Sequence, residues 1–172
     1  MGFSKGGAVA LYSAITRFQR MHGPAGARFA LHIPFYAPCY YAFVDDEAVT
    51  DRPIRLFHGT ADDLAPIGAC RAYVEAAAES RRRRADHRVR RGPPPVRPPG
   101  RGPPRRSPGE QNASGCFWEE RPAGELVSRG SGRPFGLDDP CVVRGGTFAA
   151  DPAAYRDALQ AVRALVGGRP SP

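Results

Sequence analysis

Apolar positions first recur at helical spacing. Over residues 5–20, Ala8, Leu11, Ala14 and Ile15 form one stripe, which predicts a helix, and Gly6-Gly7 would let its first turn pack closely. "GPAGA" is a turn. "RFALHIPFY" is a short apolar run of the kind that forms a buried strand, ending near Pro38. "DEAVTDRP" is a loop, "PIRLFHG" a second short strand stopped by Gly59, and "ADDLAP" another loop. Residues 67–80, "IGACRAYVEAAAES", predict a helix with Cys70, Tyr73, Val74 and Ala77 on one side. Such alternation of helix, loop and strand predicts an α/β layer with parallel strands.

The pattern then collapses. "RRRRADHRVRRGPPPVRPPGRGPPRRSPGE" has almost no apolar residues and cannot bury a core. Ordinary composition returns at Gln111, and "GCFWEERPAGELVSRGSGRPFGLDDPCVVRGG" reads as a turn-rich excursion with short hairpins. Asp151 as N-cap and Pro152 at the first helical position open a final helix. Its expected buried face is Ala154, Leu159, Val162 and Leu165-Val166, and Gly167-Gly168 ends it. The organisation expected is one globular domain in two stretches, 2–80 and 111–166, with a disordered insert over 81–110 and a tail over 167–172.

Composition changes this picture mainly by locating the charge. A chain of 172 residues with 41% hydrophobic content is one domain with enough apolar material for a core. The net charge of +8 suggests nucleic acid until it is placed. Between Arg81 and Glu110 eleven arginines face only Asp86 and Glu110, a local +9, so the rest of the chain stands at −1. No apolar run is long enough to span a bilayer, so no membrane embedding is expected. The start lacks a basic segment followed by an apolar one, hence no secretory leader is read there. The four cysteines Cys39, Cys70, Cys116 and Cys141 show no metal-site spacing and read as structural or free thiols. An exported protein would allow a Cys116–Cys141 disulfide. The compartment stays open, with the cytoplasm slightly favoured, and so does the oligomeric state.

Candidate chemistry begins at the first residues. Gly2-Phe3-Ser4-Lys5-Gly6 is a G-x-S-x-G, in which a serine on a sharp strand-to-helix turn can act as a nucleophile. The glycines at either end are expected to avoid clashes with neighbouring backbone. There is no room for a strand before Gly2. The alternative is that Ser4 merely caps the helix that follows. The second element is "HGTADDLAP", which places Asp62 just past a strand's C-terminal end, where open α/β sheets build their sites. A carboxylate there can orient a histidine and stabilise its imidazolium. The alternative is a turn or capping aspartate before the helix at Ile67, a role open to Asp63.

Together these segments resemble the dienelactone hydrolase family of α/β hydrolases. "GFSKGGAVALYSA", "RPIRLFHGTADDLAP" and the stretch from "QNASGCFW" through "DDPCVVRGGTFAADPAAYRDALQAV" carry the resemblance, which covers all but the basic insert. It implies the C-terminal part of a three-layer α/β-hydrolase sandwich with a mostly parallel sheet, incomplete because the family's strands before the elbow are missing. It also implies a serine hydrolase acting on small-molecule esters or lactones through an acyl-enzyme, with no cofactor or metal, and this chain as an impaired fragment. Carried over, Ser4 is the nucleophile, Asp62 the acid, and the Lys5 backbone N–H an oxyanion donor.

The family's histidine lies in a motif resembling Y-x-G-A-x-H-x-F-D, and His22, His32, His58 and His87 all fall outside such a motif. His32 and His58 lie in or beside strands and read as satisfied core or edge residues. His87 lies in the right zone but lacks a glycine turn or aromatic support. The motif's place falls within the insert. Reading residues 89–97, "VRRGPPPVR", one nucleotide later permits Tyr-Ala-Gly-Ala-His-His-Leu-Phe-Asp, which matches the motif throughout. GC-rich coding sequence read out of frame also yields Arg, Pro and Gly, so a compensating pair of frame shifts around residues 80–110 is the expectation. The rival reading is a functional arm, a polyproline II segment for a partner groove or an arginine-rich binder of nucleic acid. No interleaved aromatics are present to stack bases, which disfavours nucleic acid. The coding DNA checks the frame-shift expectation: Pro93 and Pro94 should both be encoded by CCA, and any other codon at either position rules it out.

Overall fold

The computed structural model describes residues 1–82, 104–122, 124–149 and 151–167. The first strand, β1 (Gly2–Phe3), pairs in parallel with β2 (Pro34–Phe35), matching Gly2 with Pro34 and Phe3 with Phe35. A strand therefore does stand before Ser4, although the sequence leaves it only two residues. On the other side of β2 the chain from Ile54 to Phe57 runs parallel as well, with bridge pairs His32–Ile54 and Phe35–Phe57. Four backbone hydrogen bonds of 2.7–2.9 Å, including Arg55 N–H to His32 O and Tyr36 N–H to Phe57 O, hold that side. β2 is thus the middle of three parallel segments. That position explains why Phe35 and the flanking Ile33 and Ala37 are all buried.

Helix α1 (Lys5–Tyr12) leaves β1 and lies back over β2. The helix expected over 5–20 is in fact two, because the chain breaks after Tyr12 and resumes as α2 (Thr16–His22). The break is tertiary in origin. Ala14 and Ile15 turn inward to zero exposure. Thr16 N–H then donates to Ala48 O and Thr50 N–H to Ala14 O, both at 2.8 Å, tying the break to the loop over 48–50. Ser13 assists with its hydroxyl, which bonds Ala10 O at 3.0 Å.

After a two-residue strand β3 (Tyr41–Ala42) comes helix α3 (Ile67–Arg82), which fills the prediction over 67–80. Cys70 and Ala77 are buried in the main core with Leu11, Tyr12 and Ile15, and Tyr73 and Val74 pack against it. A Cys39–Cys70 disulfide staples the chain after β2 to this helix, and Cys116–Cys141 closes a second bridge. Free thiols are therefore absent among the described cysteines.

The insert expected to be disordered over 81–110 overlaps described structure at both ends, since Arg81 and Arg82 belong to α3 and a strand begins at Arg105. Residues 83–103, which include most of it, His87 and the segment 89–97, lie outside the described residues. Arg105–Asn112, however, forms strand β4, antiparallel to β7 (Val143–Phe148), with its register shifting between Ser107 and Gln111. Backbone pairing does not need apolar side chains, and β4 is almost wholly exposed, so hydrophobic patterning could not reveal it. The expected hairpin is β5 (Trp118–Glu120) with β6 (Leu126–Ser128), and β5 also pairs in parallel with β3. Arg17 of α2 donates to both carboxylate oxygens of Glu120, locking this hairpin to the first half.

The last helix, α4 (Pro152–Gly167), starts as expected: Asp151 Oδ1 accepts the N–H groups of Ala153 and Ala154 at 2.9 and 3.0 Å. Its buried face differs from the expectation. Ala154, Tyr155, Ala158, Ala161, Val162 and Leu165 meet the cluster of Ile33, Phe35 and Phe57, whereas Leu159 and Val166 are exposed. Spacings of three and four from Ala154 select the small alanines, which let the helix sit close to the aromatic rings. Among the described residues no helix is long and apolar enough to cross a membrane.

The packing of α1 on β2 carries a paired prediction. A Cβ at Gly7 would lie 2.5 Å from Phe35 O, whereas one at Gly6 meets nothing within 4 Å. Gly7→Ala should destabilise by about 1–3 kcal/mol. Gly6→Ala should stabilise by about 1 kcal/mol through helix propensity. Urea denaturation of the two variants checks this, and equal midpoints would refute the close approach.

Candidate functional site

Ser4 sits between β1 and α1 at φ 52°, ψ −121°. That conformation is a strained one for any residue with a side chain, costing on the order of 1–3 kcal/mol. It also argues against the capping role for Ser4. A capping serine has extended backbone and accepts a first-turn N–H on its hydroxyl oxygen. Here the backbone is not extended and the side chain makes no capping bond. Ser4 N–H instead donates to Phe35 O at 3.0 Å, and Ser4 O accepts the Ala8 N–H at 3.0 Å. The backbone is thus pinned on both sides while the side chain stays exposed.

The glycines around Ser4 do unequal work. A Cβ at Gly2 would fall 1.9 Å from Gly6 O, so the turn can close only if Gly2 is bare. Gly6 has open space, and the second crowded glycine is Gly7, one residue beyond the motif. The expectation that Gly6 avoids a clash is corrected on this point: its carbonyl, not its missing side chain, creates the crowding. Lys5 is the first residue of α1, so its N–H has no acceptor within the helix and is free of the helical ladder.

Asp62 lies in the loop after the 54–57 segment, with its side chain only 6% exposed. Its Oδ1 accepts from Leu64 N–H and Ala65 N–H, both at 3.0 Å. The carboxylate thus performs the turn-shaping role of the alternative reading as well as facing the cavity described below. Oδ2 stands 3.9 Å from His58 Nε2, which itself bonds Ala65 O. Asp63 does not cap the following helix. Its Oδ1 accepts Thr147 N–H of β7 at 2.9 Å, and its backbone oxygen accepts from Asn112 Nδ2 at 3.1 Å. Leu64 lies so close to β7 that a Cβ on Gly146 would come within 2.4 Å of it. The acid loop is held by β4 and β7 together.

Ser4, Lys5 and Asp62 share one cavity of about 430 Å³, within the usual range for small-molecule sites. Tyr36, Tyr40, Glu110 and Phe148 line it too. Sequence reasoning missed Tyr36, which is a second non-glycine residue at positive φ, 34°. No local pattern marks it, because the strain arises where β2 ends beside Phe57. Burial, with Tyr41 and Asp62 adding to it, pushes the Tyr40 phenol up to about 12. It therefore remains a hydrogen-bond donor at neutral pH.

His32 and His58 lie in or beside the parallel segments, as the sequence suggests. His32 is buried, its Nδ1 within 3.0 Å of Ser13 Oγ and 3.1 Å of Ala10 O. His58 is buried against the Ala65 carbonyl. Among the described residues no histidine lines the cavity shared by Ser4 and Asp62. Nor do they contain a group of three or more His, Cys, Asp or Glu able to hold a metal ion. Comparison with family models, with curated proteins and with solved structures returns no match to this chain.

Strain at Ser4 can be read in stability. Ser4→Gly should raise unfolding free energy by about 1 kcal/mol, because glycine takes this φ/ψ at little cost. Ser4→Ala should leave it nearly unchanged, since alanine bears the same strain. Thermal and urea unfolding of both variants test this; equal stabilities would show the turn to be unstrained.

Proposed function

We propose that this chain is a serine hydrolase of the dienelactone hydrolase type, built on an α/β-hydrolase sheet and acting on ester or lactone bonds. The observation that carries the reading is the strained Ser4 at a strand-to-helix turn, opening on the same cavity as Asp62. A serine held this way presents its Oγ away from the backbone while the following N–H groups remain free to meet a developing oxyanion. The sequence order of serine followed by aspartate agrees with it, and the parallel pairing around β2 is what such a sheet requires.

In the proposed reaction Ser4 Oγ attacks the substrate carbonyl and its proton passes to a base. The carbonyl oxygen becomes an oxyanion facing the Lys5 N–H. The bond to the leaving oxygen then breaks as that oxygen recovers the proton, and water later releases the acyl group. Asp62 serves the base by orienting it and stabilising its positive charge. Because His22, His32, His58 and His87 all fall outside the family's histidine motif, the base step should limit this chain, and turnover should fall orders of magnitude below that of a complete triad.

An active-site-directed fluorophosphonate tests the assignment without requiring turnover. Covalent labelling should map to Ser4 and vanish in Ser4→Ala, with Ser13 and the other serines unlabelled. A protein that stays unlabelled, or labels equally after Ser4→Ala, would remove the basis for this function. Hydrolysis of a simple aryl acetate should be slow, and normal turnover would refute the missing-base argument.

A further inference from the structure

Tyr40 stands where two cavities meet. It lines the one that holds Ser4, Lys5 and Asp62, and also a larger one of about 870 Å³ walled by rings that include Tyr41, Trp118 and Phe135. The Tyr40 ring is part of that aromatic wall. It meets Trp118 edge-on with centroids 5.6 Å apart and lies 5.2 Å from Tyr41, contacts that fix its plane. The backbone beneath it is held as well. Cys39, one residue earlier, is bonded to Cys70 of α3, and Tyr40 O accepts the Trp118 N–H at 2.9 Å. A side chain anchored in this way has little freedom left to lose on meeting a ligand.

Its hydroxyl end is free. Tyr12 and Tyr73 give their hydroxyls to the carbonyls of Tyr41 and Asp46, whereas the Tyr40 hydroxyl has no hydrogen-bond partner among the described residues. Trp118 Nε1 is enclosed beyond the reach of any ligand, but the Tyr40 oxygen keeps accessible surface. Burial, then the charges of Tyr41 and Asp62, hold the phenol in its protonated form at neutral pH. A rigidly held O–H without a protein acceptor, in the cavity of a candidate nucleophile, is prepared for a ligand oxygen.

The oxygen most in need of it is the carbonyl oxygen under attack. As Ser4 Oγ adds, that atom gains a full negative charge, to which the Lys5 N–H offers one hydrogen bond. Asp62 and Glu110 also line the cavity, but carboxylates only accept. The side chains of Lys5 and Gln111 carry donors there too, yet both are long and exposed and would lose rotamer freedom in holding one geometry.

We propose that Tyr40 is a catalytic residue of this site, its Oη–H donating a hydrogen bond, beside that of the Lys5 N–H, to the oxyanion formed when Ser4 attacks. The phenol keeps its proton throughout, so the Ser4 proton still passes to the base and Tyr40 takes no part in that transfer. This role rests on the hydrolase reading of Ser4.

Tyr40→Phe removes the hydroxyl and keeps the ring. Because that hydroxyl has no protein partner, the variant should unfold at the temperature of the parent. Phosphonylation of Ser4 by a fluorophosphonate charges a phosphoryl oxygen much as acylation charges the carbonyl oxygen, so its rate reads the oxyanion site without requiring turnover. On the full chain, Tyr40→Phe should lower the labelling rate constant on the order of 100-fold, the loss typical of one such donor. Tyr41→Phe, in the larger cavity only, should label at the parental rate. An unchanged rate in Tyr40→Phe would overturn the assignment and leave the hydrolase reading intact. A comparable fall in Tyr41→Phe would trace the effect to ring packing and overturn it equally. Failure of the parent to label at Ser4 would sink both readings together.

Discussion

The carbonyl of Phe35 is the point on which this structure turns. It accepts the Ser4 N–H at 3.0 Å, and it lies where a side chain on Gly7 would have to go. One oxygen atom therefore fixes the strand-to-helix turn and sets how closely α1 lies on β2. Because the approach is this tight, Ser4 has no relaxed backbone conformation available and is held at positive φ. Gly2 must be bare for the same reason, since the turn brings the Gly6 carbonyl onto it. Strain of this kind persists only where surrounding packing over-determines it. Here the packing is supplied by the fully buried Leu11 and by Tyr12 further along α1.

A second set of contacts brings the acid loop to the same place. Asp62 shapes its own turn, while Asp63 and Leu64 are gripped by β4 and β7 through Asn112, Thr147 and the bare Gly146. The loop thus depends on residues some fifty to eighty positions further along the chain. This explains why a strand as polar and exposed as β4 is worth forming. Its partner β7 closes on the loop, and Asn112 joins the two by donating to both Asp63 O and Gly145 O. Cys39–Cys70 works to the same end from the other side, stapling the chain that carries Pro38 and Tyr40 to the helix that follows Asp62.

Helices with strong local signals were legible in the sequence. The span of α3 and the start of α4 follow from periodicity and from Asp151-Pro152, whose effect is local and independent of the rest of the fold. The break at Ser13 was not legible, because 5–20 has good helical spacing and only the distant loop over 48–50 draws Ala14 and Ile15 out of it. Nor was the choice of face on α4. Both Leu159 and Ala158 are apolar, and the aromatic cluster at Phe35 and Phe57 selects the smaller one by shape. Of the candidate site, Ser4, Lys5 and Asp62 were singled out by motif and order, and they line one cavity. Tyr36 and the aromatic wall at Trp118 were not, since neither leaves a pattern along the chain.

What the sequence by itself determined is the chemistry carried at each position: a serine with a glycine two residues to either side, an aspartate after an apolar run, and a helix start that needs no partner. Those are properties of a few neighbouring residues. The tertiary structure alone decided that the serine is strained rather than capping, because its φ of 52° is imposed by β2 across the turn. It also decided that Ser4 and Asp62 face one cavity, and that this cavity opens onto a wall of rings. Both outcomes come from segments far apart in the chain packing against the same strand, which no reading of local spacing can supply.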